Sequence, residues 1–291
     1  MDSDDPDAGS VYQYTEQTAS MLFKTTIITV ALSSCEHIPV KLNGGALGAN
    51  FSRREQSLLR AKKAAAQKKK RNTIYLTFDD GPNKGTRKMM HVMEEEQIPA
   101  TLFIIGEHVY SSYEQTATFD SILQCKYFEV ANHSYTHAFH NKYAKFYQLP
   151  DSALGDFKRC ADSLHLTEGI IRLPGRNIWR MKNINSTDLK ASVSAADSFY
   201  AKGFKEVGWD LEWQYDRDLK LKQTADEILT QIDSLFAKKK TKTPGHLILL
   251  AHDQVYADAE DSTQLHDFIK KLKAKNEYDF ETVGNYPGIK N

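Results

Sequence analysis

From Thr73 onward, short apolar runs alternate with longer segments in which apolar residues recur every three or four positions. The runs Thr73–Asp79, Ala100–Gly106, Phe128–Asn132, Gly169–Leu173, Glu206–Asp210, His246–Ala251 and Phe280–Val283 read as strands. Brief, nearly continuous apolar stretches suit strands covered on both faces. Between them, Thr86–Gln97, Ser112–Gln124, Ser152–Leu164, Thr187–Ala201, Thr224–Ala237 and Thr263–Lys275 carry helical patterns. In Thr224–Ala237, for example, Ile228, Leu229, Ile232, Leu235 and Phe236 fall on one face. Strands alternating with helices predict an α/β fold with a parallel sheet and right-handed crossovers. An open doubly wound sheet satisfies this alternation as well as a barrel does. The placement of polar residues favours the barrel, as a single domain over residues 73–291.

Upstream of Thr73 the pattern fades and charge takes over. Residues 1–20 hold five acids and no Lys or Arg, and residues 53–71 hold nine basic residues against Glu55 alone. The whole chain has a formal net charge of zero, and 41% hydrophobic residues suffice for a core. The basic run reads as part of a solvated helical linker, residues 36–72, and no nucleic-acid partner is expected. Met21-Leu-Phe-Lys24, the apolar run Thr25–Leu32 and then Ser-Ser-Cys35 resemble a bacterial lipoprotein signal with Cys35 as the lipidated residue. On that reading residues 1–20 are a leader foreign to the natural start at Met21. The protein then sits in the cell envelope, touching the membrane only through a lipid anchor at Cys35. No apolar run is long enough for a membrane-spanning helix.

Five strands end in residues that stability alone would not select. They close Leu76-Thr-Phe-Asp-Asp-Gly-Pro82, Glu129-Val-Ala-Asn-His-Ser-Tyr-Thr-His137, Arg172-Leu-Pro-Gly175, Gly208-Trp-Asp-Leu-Glu-Trp213 and Leu249-Leu-Ala-His-Asp253. The carboxyl ends of the strands form the face on which α/β barrels build active sites. Asp79 and Asp80 leave their strand in different directions, so one can ligate a metal while the other faces substrate. His133 and His137 are spaced so that one helical turn would place them on a common face, and His140 is a lower-ranked substitute ligand. Ser134 stands where the zinc-metalloprotease helix needs Glu. Two histidines and a carboxylate leave coordination positions open, as a catalytic centre requires. The same donor set also serves Fe(II) oxygenases, but those use other folds. Without a Gly-rich phosphate loop, phosphoryl transfer is disfavoured. Trp209, Trp213 and Tyr135 could stack on a sugar or pack in the core.

Together these segments resemble the NodB homology domain of polysaccharide deacetylases, carbohydrate esterase family 4, from about Thr73 to Val283. Thr77-Phe-Asp-Asp-Gly-Pro82 and His133-Ser-Tyr-Thr-His137 match its first two motifs. Arg172-Leu-Pro-Gly175 matches the third without the usual aromatic residue, and Leu250-Ala-His252 the fifth. In the fourth, Asp210 and Glu212-Trp213 compete for one place. The resemblance implies a distorted seven-stranded (β/α) barrel that hydrolyses N-acetyl or O-acetyl groups on an acetylated polysaccharide or oligosaccharide. Asp80, His133 and His137 would hold one divalent ion, zinc foremost, with cobalt or nickel as alternatives. Asp79 would be the base, Arg172 its partner and His252 the acid, oriented by Asp210 or Glu212. Pro174, Gly175 and Trp213 would contact substrate. The competing reading is a catalytically inactive carbohydrate-binding barrel.

Overall fold

The computed structural model describes Ser57, residues 71–167 and residues 169–290. The acidic leader, the signal-like segment ending at Cys35 and the linker up to residue 70, Ser57 apart, lie outside the described residues. The elements below all belong to one compact unit, Lys63–Asn291.

The longest strand, β1 (Asn72–Gly81), shows how side-chain alternation builds the domain. Its Ile74, Leu76 and Phe78 join a large cluster with the outer helices. Tyr75, one residue out of phase, packs with Phe103, Ala131 and Ile248 in a separate cluster. Thr77 and Asp79 share the phase of Tyr75, so the strand's polar residues point to the inner side of the sheet. The other strands are β2 (Ala100–Ile104), β3 (Phe128–Asn132), β4 (Ile170–Ile171), β5 (Trp179–Met181), β6 (Ile184–Ser186), β7 (Lys205–Glu206), β8 (Leu211–Glu212), β9 (His246–His252) and β10 (Tyr278–Phe280). The helices are α1 (Thr86–Glu95), α2 (Gly106–Val109), α3 (Tyr113–Gln124), α4 (Tyr143–Gln148), α5 (Pro150–Leu164), α6 (Val193–Ala201), α7 (Ala225–Ala237) and α8 (Ala259–Ala274).

The sheet runs β6-β5-β7-β4-β3-β2-β1-β9-β8, with β10 beside the start of β1. All pairings are parallel except those of the β5–β6 hairpin and of β5 with β7. The strand order ends at β8, yet the sheet curls round on itself through the segment 205–213. β7 pairs with β4, and Val207 N–H donates to Ile171 O (3.0 Å). After a break at Gly208, Asp210 N–H donates to Ile248 O (2.9 Å), β8 pairs with β9, and Trp213 N–H donates to Leu250 O (2.8 Å). One interrupted strand thus bridges β4 and β9 and closes a distorted (β/α) barrel. Asn177 occupies the break, with Oδ1 accepting from Trp209 N–H (3.1 Å) and Nδ2 donating to Trp209 O (2.9 Å). Only glycine fits at 208, because a Cβ there would stand 2.1 Å from Asn177 Oδ1.

The expected fold class holds, with local corrections. The expected strand Glu206–Asp210 is this broken pair. The last strand lies at Tyr278–Phe280, and Val283–Asn285 forms a 3-10 turn. The β5–β6 hairpin was not legible from alternation. α8 starts at Ala259 rather than Thr263, because the Asp258 carboxylate caps it by accepting from the N–H groups of Glu260 and Asp261. α7 opens with a Thr224–Glu227 capping box, and Ile228, Leu229 and Ile232 on its expected inner face are buried. Cys125 and Cys160 are free thiols. No helix among the described residues is long and apolar enough to cross a membrane.

Candidate active site

The site begins where β1 stops being regular. Asp79 pairs with His252 on β9 and with Phe103 on β2, but Gly81 is the next residue in register with β2. Asp80 is the extra residue of a bulge, at φ 77°. A bulge re-aims a side chain, and here it turns the Asp80 carboxylate toward two histidines. Asp80 Oδ1 lies 3.4 Å from His133 Nε2 and 3.3 Å from His137 Nε2, and it makes no hydrogen bond of normal geometry. His108 supports the distorted residue from behind, its Nδ1 2.9 Å from Asp80 O. The turn that follows is fastened to β9: Asp253, next after His252, accepts from Asn83 Nδ2 and Thr86 Oγ1. A Cβ at Gly81 would stand 2.6 Å from Asp253 Oδ2, so the close approach requires glycine there. Burial pushes the Asp253 carboxyl up to about 7 despite both donors.

His133 and His137 do not share a helical turn, which corrects the spacing argument. His133 follows the end of β3, and residues His137–Asn141 all have left-handed φ, between 48° and 64°. Such backbone costs roughly 1–2 kcal/mol per residue for ordinary L side chains. It is held by side-chain bonds: Thr136 Oγ1 accepts from Phe139 N–H (3.0 Å), and Asp156 on α5 accepts from Thr136 N–H (3.1 Å) and Oγ1 (3.0 Å). The loop brings the two rings to 5.2 Å between centroids.

The outer nitrogens of both rings are also engaged. His133 Nδ1 donates to Arg172 O (2.9 Å), and His137 Nδ1 faces Asn141 Oδ1. The Nε2 lone pairs are thereby left for a shared ligand, the arrangement common to metal-binding histidines. Asp80, His133 and His137 offer three ligand atoms within 4.8 Å of one another. The orphaned carboxylate oxygen and the oriented nitrogens fit a divalent ion. Burial favours neutral Asp80, but the surrounding imidazoles outweigh it and hold the carboxyl well below its usual range. Burial likewise opposes charge on His133, yet Asp79 and Asp80 raise its pKa overall. For His137, burial and the neighbouring His133 charge lower it.

Arg172 fills the barrel beneath this cluster, wholly buried. Nη1 donates to Asp79 Oδ1 and Thr77 Oγ1 (both 2.8 Å), Nε to Val207 O (3.1 Å) and Nη2 to Gly208 O (3.0 Å). The strand break at Gly208 supplies those carbonyls, and the Phe103 ring lies 4.0 Å from the guanidinium carbon. With Oδ1 of Asp79 bound to Arg172, Oδ2 stands 3.7 Å from His133 Nε2, on the cluster side. His252 ends β9 beside Asp79, with the Tyr215 ring 5.0 Å away edge-on.

A cleft of about 850 Å³ opens over these groups. Asp79, Asp80, His133, His137 and His252 line it, with Gly175, Trp209 and Glu212. Pro174 is buried behind the wall, its carbonyl accepting from Tyr147 Oη (2.6 Å). Two expected site residues lie elsewhere. Trp213 is 1% exposed, packs edge-on against Phe268 at 5.0 Å and donates Nε1–H to Gln223 O (2.8 Å), so it is a core residue. Asp210 accepts main-chain N–H bonds from Lys242 and Ile248 (2.6 and 2.8 Å), and burial pushes its carboxyl up to about 6. It braces β9 rather than His252, whose Nδ1 is buried without a hydrogen-bond partner. Of the two competing fourth-motif residues, only Glu212 borders the cleft. Tyr135 is outside it, under the Arg159 guanidinium at 3.6 Å, and exposed His140 pairs with Glu107 at 3.2 Å. Tyr143, Asn141, His108 and Tyr215 also line the cleft; they fall in very short helices or irregular segments, where no periodicity marks them in the sequence. A second donor group, Glu95, Glu96 and His266, is an ion-pair network, with Lys273 Nζ 3.0 Å from Glu96 Oε2.

A curled, mostly parallel barrel with a two-histidine, one-aspartate cluster at its strand ends presents a candidate metal centre on the face where α/β barrels build active sites. Comparison with known proteins narrows the class. The family model described as polysaccharide deacetylase matches residues 66–160, which include Asp79, Asp80, His133 and His137. A chitin disaccharide deacetylase of Vibrio alginolyticus is 23% identical over 77% of this chain and 73% of its own length. A chitooligosaccharide deacetylase of Rhizobium leguminosarum bv. phaseoli is 38% identical, but over only 23% of this chain and 28% of its own length. A family 4 carbohydrate esterase from Streptomyces lividans, solved in complex with acetate, shares the fold with a TM-score of 0.52. That similarity is at 20% identity, over 75% of this chain and 95% of the esterase. The chain is thus similar to polysaccharide deacetylases over the segment that carries the Asp-His-His cluster, and it shares the fold of a family 4 carbohydrate esterase.

Proposed function

We propose that the protein is a metal-dependent hydrolase that removes acetyl groups from a carbohydrate polymer or oligomer, with amide-linked N-acetyl groups its main target. The observation that carries this reading is the orphaned Asp80 Oδ1 between His133 Nε2 and His137 Nε2 in the cleft, which Asp79 and His252 also line. A divalent ion held by these three residues would polarise the acetyl carbonyl and lower the pKa of a water molecule from 15.7 toward about 7.

The chain's own groups account for the remaining chemistry. Asp79, clamped through Oδ1 by Arg172, keeps Oδ2 toward the cluster, where it takes the proton of the attacking water. Gly175 brings bare main chain to the cleft wall, where an N–H can meet the oxygen that becomes negative as the carbonyl turns tetrahedral. His252, in register with Asp79 across β1 and β9, delivers the proton without which the amine cannot leave. Trp209 supplies an aromatic wall for a sugar ring. The Vibrio and Rhizobium relatives are both named for chitin-derived substrates, which supports the amide preference. The lipoprotein-like segment ending at Cys35 would keep the domain at the cell envelope, beside an envelope or imported glycan.

Acetate release from N-acetylglucosamine oligomers and from acetylated xylan tests the proposal. Each substrate is assayed after chelation and again after adding Zn²⁺, Co²⁺ or Ni²⁺. Activity lost on chelation and restored by metal is expected, with the oligomers preferred over xylan. A folded protein that releases no acetate with any metal points instead to a binding barrel.

A further inference from the structure

We propose that Asn141 is a positioning residue of the metal centre, fixing His137 in the tautomer that can ligate through Nε2. The inference rests on the metal-site reading above. Asn141 Oδ1 receives two contacts, from His137 Nδ1 and from Tyr143 Oη (2.9 Å). With the amide oxygen toward the ring, the imidazole proton lies on Nδ1, and the lone pair lies on Nε2, 3.3 Å from Asp80 Oδ1. The opposite amide orientation would present an N–H₂ donor to Nδ1. The proton would then move to Nε2 and point at the position a metal needs.

His133 solves the same problem by a different route. Its Nδ1 is held by the main-chain carbonyl of Arg172, which no substitution can remove. The left-handed path of residues His137–Asn141 carries Asn141 back beneath the ring that opens the turn. Asparagine is among the few non-glycine residues that accept φ 64° readily, so backbone and side-chain requirements coincide at this position. Nothing in the second motif, which ends at His137, points to this residue.

The test is Co²⁺ affinity of the metal-stripped full chain, read from the visible absorption of the bound ion in competition with a chelator. Asn141→Gly removes the acceptor while leaving a residue at ease with positive φ. Asn141→Asp keeps an acceptor oxygen. Asn141→Gly should bind Co²⁺ about 10–100-fold more weakly, the usual size of losing an outer partner of a ligating histidine. Asn141→Asp should bind as tightly as the unaltered chain or more so. Equal affinity in Asn141→Gly, or an equal loss in Asn141→Asp, overturns the proposal. Should the glycine variant fail to fold, the nitrogen-15 shifts of His137 in the Zn²⁺-loaded native protein decide. Ligation through Nδ1, or an Nδ1 proton with no hydrogen bond to Asn141 Oδ1, overturns the proposal, and an Nδ1 proton hydrogen-bonded to that oxygen supports it. If the native chain binds no metal at all, the metal-site reading falls first and this one with it.

Discussion

Replacing Arg172 by Met keeps roughly the length of the side chain and removes every donor beneath the site. Asp79 then sits 2% exposed without its counter-charge, and the carbonyls of Val207 and Gly208 lose the donors that met them at the strand break. Breaking a buried ion pair from one side costs about 3–5 kcal/mol, because the other charge is left uncompensated. Each orphaned carbonyl can add about 1–3 kcal/mol unless water reaches it. Against a typical domain stability of about 5–15 kcal/mol, the ion-pair loss alone removes a large share. For a domain of this size it corresponds to a fall in Tm of about 6–20 °C. The measurement is urea and thermal unfolding with a chelator present throughout, so that metal affinity does not enter. The double variant with Asp79→Asn supplies the control. Once the carboxylate is neutral, removing Arg172 should cost less, giving a coupling of more than about 1 kcal/mol between neighbours in one network. A loss under about 1 kcal/mol for Arg172→Met, or strict additivity in the cycle, would show that the guanidinium is not the keystone of the barrel floor.

Two further outcomes follow from buried carboxyls away from the cluster. Burial raises Glu206 from its ordinary 4.5 to about 9, and neither of its oxygens has a hydrogen-bond partner, since Arg180 is bound to Asp197. With the folded pKa above the unfolded one, its contribution to stability is full below about pH 4.5 and is lost as pH rises toward about 9. Glu206→Gln should therefore gain stability relative to the native chain across that window, by up to about 1.4 kcal/mol per pH unit, and identical pH slopes in urea unfolding would refute it. Asp210→Asn exchanges one of two main-chain acceptors for a donor, so it should cost about 1–3 kcal/mol while acetate release per folded molecule stays unchanged. A loss of about 100-fold in kcat without lost stability, the size expected of a proton-transfer group, would return Asp210 to the catalytic machinery.

The contrast between Asp79 and Asp210 shows what the sequence makes legible. Alternation along β1 runs unbroken from Ile74 to Asp79, so counting by twos from the core residues places Asp79 correctly at the inner, carboxyl end. The same counting through Glu206–Trp213 fails, because the strand breaks at Gly208 and its two halves pair with different neighbours. Across that break the phase is reset. Asp210 turns to the main chain of β9, and Trp213 packs against α8. The glycine was visible, but the partner that demands it, Asn177, comes from an irregular segment some thirty residues earlier.

The histidine pair carries the point further. Its spacing fits one face of a helix, and the two rings do meet, but by a left-handed loop in which Ala138 and Phe139 adopt backbone that neither prefers. No local pattern encodes such a loop. It exists because Asp156, on a helix that begins after the loop ends, holds Thr136 at its start, and because Phe139 is packed on Phe146 at 4.9 Å. Residues at the ends of regular strands can be placed by periodicity, since their direction is inherited from the sheet. Residues aimed by strained backbone are placed by tertiary contacts that sequence spacing does not reveal. That is why the ligands could be named from their types and order, while Asn141 and His108, which set the angle at which those ligands meet, emerge only from the folded chain.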